Sequence, residues 1–180
     1  MGKVLTCRED AQSRIQRASE WLALQDRAQP VLVIAATLDA GREILRRAVA
    51  DRGATFGWRA TTLPRLAAEQ GRTQLAAGGR CPVGRLACEA VVARVVHERT
   101  ASARIGRYDT VAGTPGFTRA LTGTLLELRL EGSSAAQVAA ADPGLADLLE
   151  AYESELERTK LADWPAVLQA AIAAAPESVQ

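Results

Sequence analysis

Two stretches of the sequence have residue types and spacing that bear on phosphate chemistry. The first is Thr6-Cys7-Arg8-Glu9-Asp10-Ala11-Gln12-Ser13. A loop spaced GxxxxGK[ST] between a strand and a helix cradles phosphates with its backbone N–H groups, while its lysine reaches the β- and γ-phosphates. Laid over that spacing, Thr6 and Ala11 stand at the glycines, Gln12 at the lysine and Ser13 at the hydroxyl position. Only the hydroxyl is kept. Without glycines the backbone does not wrap easily around phosphate, Gln12 offers no charge, and Glu9 and Asp10 repel it. A second overlay, Ala36 to Glu43, keeps Gly41 but puts Arg42 at the lysine and Glu43 at the hydroxyl. Neither predicts a working ATP site, and no cofactor is expected.

The other chemistry-bearing residues are arginines. Twenty of the 22 basic residues are arginine, and their distribution is lopsided although the net charge is only +1. Residues 130–180 carry nine acids and two bases, which leaves 20 bases against 12 acids in residues 1–129. The guanidinium fork suits phosphate, so a basic front and an acidic back point to a nucleic-acid partner. Solvated helix faces with solubilising arginines are the alternative. Arg42, Arg46, Arg47, Arg59 and Arg65 fall near the C-terminal ends of the expected strands, where α/β sheets place ligands. They are the candidates for weak contact with a DNA backbone.

Remaining candidates read as structural. His97, the one histidine, falls near the end of a helix and has no nucleophile to serve. Asp163 in Leu-Ala-Asp-Trp-Pro reads as a helix cap in preference to a metal ligand or catalytic acid. Trp58 and Trp164 have the faces to stack on bases, but core packing is the commoner fate of such residues. Cys7, Cys81 and Cys88 are odd in number and too widely spaced for a metal clip, so reduced thiols and no structural metal are expected.

The elements that must position these residues follow from periodicity. Val31 to Ala35 is a short, unbroken, β-branched run, which suits a strand buried on both faces of a parallel sheet covered by helices on both sides. A helix capped by Asp39 follows, with Ala40, Ile44, Ala48 and Val49 on one face, making half of a βαβ unit. Lys3 to Leu5 is expected as a first strand, Ala11 to Leu24 as a helix with Ile15, Ala18, Trp21 and Leu22 inward, and Thr55 to Leu63 as a third strand after a turn at Asp51-Arg52-Gly53. From Pro64 onward the pattern is helical, with no strand after Pro82. Pro82 opens a helix striped by Val83, Leu86, Ala87, Ala90, Val91 and Val95, and Thr114-Pro115, Asp142-Pro143 and Asp163 start three more. Ser133 to Ala141 is a soft connection or a weak helix.

At 180 residues, 48% hydrophobic and 4% aromatic, the chain has the material for one core, or one and a half, built mostly helix on helix. No apolar run is long enough for a membrane span, and the N-terminus lacks the apolar segment of a signal peptide, so a cytoplasmic protein with no membrane partner is expected.

The order of these pieces resembles the N-terminal part of superfamily 1 helicases of the UvrD type. It is more similar to the inactivated helicase-like region of AddB-type helicase–nuclease subunits, the PD-(D/E)XK nuclease family. Ala36 to Glu43 looks like the TxxxA[AG]RE helix entry, and Thr61-Thr62-Leu63-Pro64 before Arg65-Leu66-Ala67 looks like the TFHS-like strand end. Pro115 to Leu121 and Glu127 to Leu130 look like the PGFxRAL and ELRL stretches, and Tyr152 to Leu156 through Leu161 to Trp164 looks like the helix pair before the Walker B strand. The resemblance implies an α/β fold, a partial P-loop NTPase-like parallel sheet in residues 1–66 followed by a helical insertion subdomain in residues 67–180. It implies a non-catalytic helicase-like module in double-strand-break repair and recombination, contributing DNA binding or scaffolding beside the remainder of a helicase–nuclease or its partner subunit. A P-loop ATPase fragment and a simple protein-interaction domain are the alternatives. In that family the next strand is Walker B, so this chain alone is expected to keep an unpaired sheet edge and to self-associate.

Overall fold

A computed structural model describes residues 10–50 and 53–175. It is a mostly helical α/β fold with two small two-stranded parallel sheets. The chain divides into two compact units, one running up to Glu69 and the other formed by Gln70–Ala175. The expected strand at Lys3 to Leu5, with Thr6, Cys7 and the Asp51-Arg52 half of the turn, lies outside the described residues.

The first unit is a βαβ unit with one helix before it. Helix α1 (Ala11–Ala23) leads to strand β1 (Val31–Ile34), helix α2 (Leu38–Ala50) and strand β2 (Trp58–Thr61). The strands pair in parallel from Val31 opposite Trp58 to Ile34 opposite Thr61, and the Ala35 N–H extends the ladder to the Thr61 carbonyl at 3.0 Å. Leu22, Val31 and Ala48 form the buried centre, with Val33, Ile44, Leu45 and Trp58 packed around it. The side chains of β1 alternate, as strand geometry requires. Val31 and Val33 turn toward this core, whereas Leu32 and Ile34 are 39% and 52% exposed. The expectation of a strand buried on both faces is therefore corrected: among the described residues helices cover one face only, so the apolar run has an exposed side. Trp21, expected inward, is 47% exposed.

The cap of α2 differs from the one expected. Thr37, not Asp39, closes the start of α2, its hydroxyl accepting the Ala40 N–H at 3.2 Å, and Asp39 lies in the first turn. Gly41 lies within the helix, as the reading from Asp39 expects. It sits inside α2, where an added Cβ would lie 2.9 Å from the Ala60 Cβ, so its missing side chain lets the helix approach β2.

Helix α3 (Leu63–Ala77) contains the boundary between the units. The second unit continues through β3 (Cys81–Pro82), α4 (Arg85–Ala101), a 3-10 turn at Gly106–Tyr108, α5 (Asp109–Ala112), α6 (Pro115–Leu130), α7 (Ala135–Ala139), α8 (Pro143–Thr159), β4 (Leu161–Ala162) and α9 (Trp164–Ala174). Pro82 does not open a helix. It belongs to β3, which pairs in parallel with β4 through bonds from Cys81 N–H to the Lys160 carbonyl at 2.8 Å and from Val83 N–H to the Ala162 carbonyl at 2.9 Å. The helix starts three residues later and buries Cys88, Val91, Val92, Val95 and Val96, while Leu86 is left exposed. These valines pack with Leu121 and Leu125 of α6 and Leu148, Leu149, Tyr152 and Leu156 of α8. Each such side chain contributes about 1.5–3 kcal/mol when fully buried, so this cluster dominates the second unit. Ser133 to Ala141 resolves into α7, started by a capping box between Ser134 and Gln137. Among the described residues no helix is long and apolar enough to cross a membrane.

Candidate nucleic-acid interface

Of the residues overlaid on the phosphate-loop spacing, Ala11, Gln12 and Ser13 form the first turn of α1; Thr6 lies outside the described residues. In a phosphate-binding protein this helix N-terminus would face the anion. Here Asp10 occupies it. Its carboxylate accepts the Ser13 N–H at 2.9 Å, and the Ser13 hydroxyl donates to its other oxygen at 3.3 Å. The Ser13 N–H bond holds the Asp10 carboxyl below its usual range, so the cap is ionised at neutral pH. A phosphate arriving at this helix end meets a negative charge and an amide already satisfied. Ala11 and Gln12 instead line an open groove with Ile15, Gln16, Ser19 and Arg47.

The five candidate arginines are spread along the first unit. A helix between two parallel strands runs back against them, so the start of α2 lies at the strands' C-terminal ends and its last turn at the opposite end. Arg42 is therefore near the strand ends, but Arg47, in the last turn, is not. Arg46 and Arg47 both clamp Glu43, with Arg46 Nη2 at 2.6 Å and Arg47 Nε at 2.7 Å from its oxygens. Arg42 stands 3.9 Å from Asp39. Arg59, in the middle of β2, pairs with Glu69 at 3.3 Å. Arg65, exposed in the first turn of α3, makes no ion pair among the described residues.

The remaining candidates have structural partners or none. The Trp58 indole N–H donates to the Gln29 carbonyl at 3.1 Å, and Trp164 is half-buried at the start of α9. His97 is exposed on α4. Cys81 and Cys88 are free thiols, and among the described residues no group of three or more His, Cys, Asp or Glu side chains is placed to hold a metal.

Asp163 does cap α9, accepting the Ala166 N–H at 3.1 Å. It also does more than its sequence signal indicates. Fully buried, it accepts from Arg129 Nε at 2.8 Å, Arg129 Nη2 at 3.3 Å and the Tyr152 hydroxyl at 3.3 Å. Arg129 also pairs with Glu153. Burial drives the Tyr152 hydroxyl far above its ordinary range, so it stays a neutral donor. Sequence reading singled out the ELRL and LADW segments without pairing them, because nothing local says that residues 34 positions apart will meet. A second group also went unread: in a cleft of about 350 Å³ between α4 and α8, Asp147 receives Arg99 at 2.6 Å and Arg104 at 2.8 Å, while Glu155 receives Arg158 at 2.6 Å. Every arginine there faces a carboxylate, which leaves no net positive site for an anion. No family model matches the chain, and no curated protein matches it either.

Proposed function

We propose that the chain is a non-catalytic helicase-like module with a partial P-loop-type first unit, contributing weak DNA binding or scaffolding to a helicase–nuclease that processes double-strand breaks. The observation that carries the non-catalytic part is Asp10 on the α1 N-terminus, an ionised carboxylate where a nucleotide phosphate would need open N–H groups. The parallel βαβ arrangement of β1, α2 and β2 and the collinear motifs support the helicase-like part. The basic first two thirds of the sequence support the DNA part. The ion pairs of Arg42, Arg46 and Arg47 are solvent-exposed and within one helix, a kind that contributes little to stability, so a phosphate can take over these guanidiniums at little cost.

Isothermal titration with Mg-ATP tests the non-catalytic claim. No binding is expected, and tight, magnesium-dependent binding overturns it. A second reading, a protein-interaction domain, is favoured by one observation, the exposed Leu32 and Ile34 on the uncovered face of β1.

A further inference from the structure

We draw no further inference here: the strongest candidate, the uncovered face of β1 on which Leu32 and Ile34 are exposed among the described residues, is an unpartnered apolar face, and nothing in the structure shows what covers it.

Discussion

A carboxylate with no solvent needs donors on every side, and Asp163 has them from Arg129, Tyr152 and the Ala166 amide. The cap itself was legible from Leu-Ala-Asp-Trp-Pro, as was the one at Asp142, which accepts the Leu145 N–H at 3.0 Å. The arginine that completes the site was not, since it arrives from α6 through tertiary packing. Arg129→Met removes the buried charge partner and is expected to cost about 3–5 kcal/mol, measured by urea denaturation. A loss below 1 kcal/mol would mean that Asp163 is satisfied without the guanidinium. Glu155 gives a pH signature. The hydrogen bond from Arg158 holds its carboxyl below the ordinary value of 4.5, against the opposing effect of burial. Because the folded value is the lower one, the stabilisation is complete above the unfolded value and is lost as pH falls through the folded one. Melting temperature followed from pH 7 downward is therefore expected to drop below about pH 4.5. That drop is expected to be shallower in Glu155→Gln, and identical curves would remove Glu155 from the account.

At the scale of elements, helices were read well where a cap precedes a long apolar stripe, as in α6 and α8. Strands were read where β-formers cluster, as in β1 and, with bounds too wide, in β2 inside the expected Thr55 to Leu63. The short strands β3 and β4 were missed because two residues carry no period, and their pairing joins Cys81 to Leu161 across the whole helical part of the second unit. Pro82 compounded the error: a proline before an apolar stretch signals a helix start, but it is equally at home in a strand position that donates no ladder bond. Gly41 falls inside the expected helix, but its close approach to β2 was not legible, since a glycine near a phosphate-loop spacing and a glycine at a helix–strand contact look alike in sequence. The structure separates them. A Cβ at position 41 would meet the Ala60 Cβ at 2.9 Å. Gly41→Ala is thus expected to lose the roughly 1 kcal/mol that alanine gains over glycine in a helix and to destabilise by about 1–2 kcal/mol. In an Ala60→Gly background the same substitution is expected to become less costly, and a thermodynamic cycle with no coupling between the two positions would contradict the close approach.

For the whole molecule, the class was legible from composition: few aromatics and many alanines gave a mostly helical chain. The site was legible only in part. The absence of phosphate-loop glycines and lysine could be read directly from the sequence, whereas the outward Trp21 could not, because an amphipathic pattern does not reveal which large apolar residue falls at the edge of the buried face. The account's central claim is a DNA-binding module that works without nucleotide. Its most direct measurement is the affinity of the full chain for a labelled single-stranded oligonucleotide across a salt series, with and without Mg-ATP. The account predicts weak binding whose log K falls with log salt at a slope of about −2 to −3, unchanged by Mg-ATP. No binding at low salt, or an affinity that shifts with Mg-ATP, would contradict it.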